Sequence, residues 1–185
     1  MAIYTKTGDT GSTSTLSGNR VLKSDSLIEV QGQVDELNSN IGYLNSILAL
    51  NQNIKFPIKK DICSFLEEIQ HNLFVIGVEI SLEFKDNKLT ENCITDLEKS
   101  IDDMTNSMLK QTHFILYSGT TEATYCHVVR AVTRRCERAF VRLLNEKNIE
   151  ANIGYKYINR LSDYFFTLSR YLNHLSGKSE TIMKL

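Results

Sequence analysis

Five arginines crowd into thirteen residues of this chain: Arg130, Arg134, Arg135, Arg138 and Arg142, with one acid, Glu137, among them. They lie in HVVRAVTRRCERAFVRL, residues 127–143. On a helical wheel with His127 at the origin, Arg130, Arg134 and Glu137 fall within about 80° on one side. Arg138 lies about 20° on the other, and Val128, Val132, Cys136, Ala139 and Leu143 occupy the roughly opposite sector. The segment therefore reads as a helix with a core face and a basic face. A solvated charged face is the plain explanation. Against it, every cation here is Arg although the chain uses Lys freely elsewhere. Arg is favoured where carboxylate or phosphate is held in fixed bidentate geometry. An anion site or a subunit interface explains that choice better than solvation.

A second stretch with chemical potential is YTKTGDTGSTSTLSGNRVLKSD, residues 4–25. It sets Thr, Ser and Gly around Lys6, Arg20 and Lys23. Glycines let backbone N–H groups approach an anion, hydroxyls add donors and lysines add charge, which suits polyphosphate. The GxxxxGK[ST] spacing of a Walker A loop is absent. On composition alone the stretch reads as a polar N-terminal arm.

Other candidates are weaker. Glu68-Ile69-Gln70-His71 is a Glu-x-x-His element on a helix, but a di-iron bundle needs a second copy. None of His113, His127 or His174 has a carboxylate three residues earlier, so His71 reads as a polar position at a helix interface. The four cysteines, Cys63, Cys93, Cys126 and Cys136, form no CxxC pair. They read as reduced, mostly buried thiols of a reducing compartment such as cytosol. Asp35 projects off the apolar stripe of its helix, where a fourth-helix arginine, from the same chain or a neighbour, could pair with it. Asn159, Asp163, Arg170 and Asn173 share a polar face of the last helix.

The elements that must hold these residues are helical. Leu27, Val30, Val34, Leu37, Ile41, Leu44 and Leu48 repeat at 3-4 spacing, an apolar stripe about seven turns long. Ser24-Asp25-Ser26 supplies its N-cap, and Asn51-Gln52-Asn53 and Pro57 end it. A second helix carries Ile62, Leu66, Ile69, Leu73, Ile76 and Ile80. A third, starting near Thr90, carries Ile94, Leu97, Ile101, Met104 and Met108. The fourth runs over about 121–147 and the fifth carries Ile158, Leu161, Phe165, Leu168 and Leu172. Five amphipathic helices on short links predict an all-α, five-helix antiparallel bundle. The chain divides into an extended N-terminal loop (1–25), the bundle (26–176) and a frayed tail (177–185), all in one domain.

With 185 residues, 42% hydrophobic and 23% charged, the chain is long enough for one sizeable core. A net charge of −1 argues against bulk binding to nucleic acid or anionic membrane. No apolar run reaches membrane-span length, and the N-terminus lacks a secretory layout. The expected location is cytoplasmic; a processed organellar form is also compatible.

The blocks YTKTGDTGSTS, VDELNSNIG, LEEIQHNLF, HVVRAVTRRCER and INRLSDYFFTLSRY occur in this order. Together they resemble the signature blocks of PduO-type ATP:cob(I)alamin adenosyltransferases, from residue 3 to about 173. The resemblance implies a homotrimer of five-helix bundles with sites between subunits. It implies transfer of the 5′-deoxyadenosyl group of ATP to the cobalt of cob(I)alamin, with release of triphosphate. Carried over by motif, Thr5, Lys6, Thr7, Gly8, Thr13, Ser14 and Lys23 would contact ATP from the loop. Arg134, Arg135, Glu137, Arg138 and Asn159 would contact it from the helices of another subunit, with Mg²⁺ held mainly by ATP. Asp35 would pair with Arg130 across the interface, and Phe114 would sit under the corrin and displace its lower ligand. Arg134 and Phe114 would be the catalytic residues. A cobalamin reductase and an adenosylcobalamin-dependent enzyme are the implied protein partners. Where the family usually has Pro-Gly-Gly, this chain reads Tyr117-Ser118-Gly119. That departure leaves open a non-catalytic sensor or chaperone of the same fold.

Overall fold

A computed structural model describes residues 3–184. Five helices make up the body: α1 (Ser26–Leu50), α2 (Phe56–Ser81), α3 (Glu91–Asn106), α4 (Thr121–Lys147) and α5 (Ile153–Leu175). Each predicted helix is present. α1 starts where Asp25 caps it, its carboxylate accepting from Leu27 N at 2.9 Å. All seven residues of its predicted stripe are buried, none more than 4% exposed. Burying each such side chain stabilises the fold by about 1.5–3 kcal/mol relative to leaving it in water. Pro57 falls in the first turn of α2, where its missing N–H costs nothing.

α1 packs against α2 and α4, α4 against α5, and α5 against α3. This order makes α4 a central helix, covered on two flanks. That corrects the helical-wheel reading. Val128, assigned to the core, is 47% exposed, whereas His127, assigned to the basic face, is buried. The buried arc of α4, between α1 and α5, is wider than the apolar stripe and takes in Ala123, Cys126, His127, Val129, Thr133 and Phe140.

The N-terminal segment is no loose arm. It forms a hairpin of β1 (Ser12–Ser14) and β2 (Arg20–Leu22), antiparallel, with Thr13 opposite Val21. Strands this short leave no alternation to read in sequence. The hairpin turn is bolted to the end of α2. Leu16 N donates to Ser81 Oγ at 2.9 Å. Ser17 Oγ and Asn19 Nδ2 both donate to Glu83 Oε1 at 2.5 Å. Those bonds hold the Glu83 carboxyl below the ordinary carboxylate range. Glu83 and Phe84 both adopt left-handed backbone (φ 55° and 58°), a cost that tertiary contacts must offset. Phe84 packs on Phe140, with ring centroids 5.8 Å apart.

The tail is not frayed as expected. Leu116 N donates to Thr181 O and Met183 N to Phe114 O, each at 2.8 Å, and Ile115 faces Ile182. The tail thus joins loop 114–118 through an isolated antiparallel bridge. Arg170, only 9% exposed, fixes it by pairing with Glu180 (Nε to Oε1, 2.5 Å) and donating to Leu109 O at 3.1 Å.

Candidate functional site

Two polar surfaces hold most of the candidate residues. The first is the turn leading into β1. Lys6 adopts φ 60°, and the turn is closed by Asp9 N donating to Lys6 O (3.3 Å) and Gly11 N to Gly8 O (3.2 Å). Thr5 and Thr7 hydroxyls lie 2.9 Å apart. The Lys23 ammonium lies over Gly8: a Cβ there would sit 3.1 Å from Nζ. A bare backbone with a cation above it is what a phosphate-binding turn requires. Thr13 and Ser14 follow on β1. Arg20, counted as a cation but given no role from sequence, shapes this turn. Its guanidinium donates to Thr7 O at 3.0 Å, to Ser14 Oγ at 3.3 Å and to Ser12 Oγ.

The second surface is the exposed side of α4. Arg134 is exposed, and among the described residues its guanidinium has no ion pair or hydrogen bond. Arg138 is exposed and donates to Arg134 O at 2.8 Å. Glu137 is half-buried beside them and Asn159 is exposed on α5. Arg135 is engaged within the chain, bonding Gln33 Oε1 at 3.0 Å and the Glu36 carboxylate of α1. Asp35 is exposed on α1 and has no cationic partner among the described residues of its own chain. The Arg130 Nε is buried without a partner. No hydrogen bond or ion pair among the described residues joins the turn at 5–14 to Arg134, Arg138 or Asn159.

Loop 109–119 presents a third, apolar surface. Phe114 (75%), Leu109 (89%) and Leu116 (48%) are exposed there. Behind them the loop is tied down. Asn173, 5% exposed, accepts from Thr120 N at 3.0 Å and donates from Nδ2 to Ser118 O at 2.9 Å. Gly119 between them has φ 116°, and a Cβ would come within 2.0 Å of Asn173 Oδ1. Tyr117 stacks on His127 (centroids 4.3 Å, 26° between planes), and the Arg130 guanidinium lies 5.0 Å from its ring centroid. Burial, then the Arg130 charge, lowers the His127 pKa to about 4, so it is neutral at pH 7. Sequence reasoning placed Asn173 and Arg170 on a polar face but missed that both hold this loop and the tail. Their burial opposite loop partners leaves no local signal.

The remaining candidates resolve simply. His71 is exposed, not at a helix interface. All four cysteines are free; Cys126 and Cys136 are buried, and burial pushes the Cys136 thiol up to about 12. Such thiols pack and do not react.

A helical bundle with a glycine-rich cationic turn, an arginine face and an exposed apolar loop has the donors that a nucleotide-binding protein uses. Comparison with known proteins gives the particular case. The chain belongs to the cobalamin adenosyltransferase family, whose model matches residues 3–172. It is 41% identical over 179 residues to a corrinoid adenosyltransferase of Bacillus subtilis, covering 96% of this chain and 89% of that protein. It is 36% identical to corrinoid adenosyltransferase MMAB of Homo sapiens, covering 97% of this chain and 72% of the relative. A solved variant of the PduO-type ATP:corrinoid adenosyltransferase from Lactobacillus reuteri, complexed with cobalamin and ATP, superposes with a TM-score of 0.87. The two are 34% identical, and the match covers 100% of both chains.

Proposed function

We propose that this chain transfers the 5′-deoxyadenosyl group of ATP to the cobalt of cob(I)alamin and releases triphosphate. The observation that carries the reading is the unpaired Arg134 on an exposed arginine face, in a chain that also builds a cationic backbone turn for phosphate. Co(I) attacks C5′ with its own electron pair. The Co–C bond forms, the C5′–O bond breaks, and triphosphate leaves with that bond's electrons. No side-chain nucleophile or general base is needed. The protein must align C5′ with the metal and stabilise charge on the leaving triphosphate.

Lys6, Lys23 and the N–H groups of the turn hold the phosphates from one side, with Thr5, Thr7, Gly8, Thr13 and Ser14. Arg134, Arg138 and Asn159 hold the nucleotide from the other, and Arg135 joins them by exchanging its α1 partners. The cationic donor set, with Glu137 as the carboxylate on the arginine face, fits Mg²⁺ only as an ion carried by the triphosphate. Phe114 faces the corrin and offers no ligand to cobalt, which favours reduction to Co(I).

We assign the complete site to two subunits of a homotrimer. The turn and the arginine face are not bonded to each other within one chain, and Asp35 and Arg130 each lack the partner that the other would supply. A cytoplasmic location fits: no helix among the described residues is long and apolar enough to cross a membrane. The family membership and the ATP- and cobalamin-bound relative favour catalysis over the sensor or chaperone alternative.

The test is an anaerobic assay with ATP and chemically reduced cob(I)alamin, following the spectral change as the Co–C bond forms. Wild type turns over. Arg134→Ala loses about 10- to 150-fold in ATP affinity, the worth of a charge-assisted bidentate contact, yet melts like wild type. ATP binding without turnover in the wild type would refute the transferase reading.

A further inference from the structure

We propose that Tyr117 is a positioning residue for the corrinoid site: by lying across His127 and Arg130 of α4 it fixes the loop that presents Phe114. The proposal rests on the functional reading above for what Phe114 does; the mechanical part stands on the contacts alone.

Loop 109–119 must hold an apolar face open to solvent, a conformation that hydrophobic collapse opposes. Its C-terminal end is fixed by Asn173, which bonds both Ser118 O and Thr120 N. Its outer edge is fixed by backbone hydrogen bonds of Phe114 and Leu116 with the tail. Neither anchor ties the loop side chains to α4. Tyr117 does so, being the residue of the exposed 114–117 run whose ring meets that helix. His127 and Arg130 lie three residues apart on α4, so one ring reaches both. The stack also explains the buried His127, whose Nδ1 has no hydrogen-bond partner. Its compensation is ring contact with Tyr117 and the edge of Phe166, 6.0 Å away. Arg130 belongs to the surface assigned above to the subunit contact. Tyr117 therefore also joins the corrinoid loop to the cation that faces the neighbouring subunit.

The experiment compares Tyr117→Ala and Tyr117→Phe with wild type, using two readouts. The first is the His127 imidazole titration, followed by NMR in the ligand-free protein and assigned with His127→Gln. Tyr117→Ala uncovers the imidazole and raises its pKa from about 4 towards the ordinary 6.5; Tyr117→Phe, which keeps the ring, leaves it in place. The second is kinetic. Tyr117→Ala raises the corrinoid KM by about tenfold, the worth of one aromatic pair and one cation–π contact, with the ATP KM unchanged. Tyr117→Phe restores the wild-type value. Unchanged His127 titration in Tyr117→Ala would overturn the stack. Equal rises in both KM values, or a rise in neither, would overturn loop positioning. If the wild type does not turn over, the functional reading fails. Amide exchange over 113–119 then decides the mechanical claim: faster exchange in Tyr117→Ala supports it and unchanged exchange overturns it.

Discussion

Asn173 bridges two backbone groups that flank Gly119, and Asn173→Ala isolates what that bridge is worth. The substitution removes the acceptor of Thr120 N (3.0 Å) and the donor to Ser118 O (2.9 Å). An abandoned buried polar group costs about 1–3 kcal/mol. Both groups here are near solvent on one side, so the low end applies, about 1 kcal/mol each. The small void left against Gly119 adds a fraction of that. A total near 2 kcal/mol lowers Tm by roughly 4–8 °C for a chain of this size, at fixed protein concentration. The effect is not uniform. Thr120 caps α4, its hydroxyl accepting from Ala123 N at 3.3 Å, and that bond survives. What loosens is the join between loop and helix. The corrinoid KM should therefore rise while the ATP KM, which we assign to the hairpin and Arg134, stays constant. Asn173→Asp keeps the acceptor and places a negative charge at the N-terminus of α4, where the helix dipole favours it. It loses the donor and sets oxygen against oxygen at Ser118. About half the stability loss is recovered and the corrinoid defect is not. Calorimetry and a two-substrate KM determination check both statements. A Tm within about 1 °C of wild type together with an unchanged corrinoid KM would refute the assignment of Asn173 as the loop anchor.

Asp35→Asn and Arg130→Ala should be less than additive in the stability of the proposed trimer and in ATP affinity, by about 1–3 kcal/mol, if each removes the proposed pair; strict additivity in a double-mutant cycle would discard the pair. Phe114→Ala should spare ATP binding but impair formation of four-coordinate Co(II), read from its absorption and spin-resonance spectra; unchanged spectra would discard that role. The His127 pKa is lower in the folded protein (about 4) than the ordinary 6.5, so the unfolded chain binds the proton first. Stability contributed by His127 is complete above pH 6.5 and declines as pH falls towards 4. Denaturant midpoints across that range should fall, and His127→Gln should flatten part of the slope.

The helices and the candidate residues were legible in the chain where they are written in residue type and local spacing. The 3-4 repeat from Leu27 to Leu48 determined α1, because a period of 3.6 residues puts those side chains on one face whatever lies beside it. The same holds for α2, α3 and α5, and Asp25 caps α1 as its side chain dictates; that Thr120 and Asn152 cap α4 and α5 was seen only in the structure. The run of arginines stood out by residue type, whereas the Gly/Ser/Thr stretch read by composition as a polar arm and took its expected role from the family resemblance. Tertiary structure decided what depends on contacts far apart in sequence. His127 is buried and Val128 exposed because α4 lies between α1 and α5 and beneath Tyr117. Arg135 turns to Glu36 while Arg134 stays free because α1 runs past one flank of α4 only. The tail is tied to loop 114–118 because Arg170, Asn173 and that loop come together from separate elements. A period tells a helix which face to bury; only its neighbours determine how wide that face is, and which polar groups find each other across it.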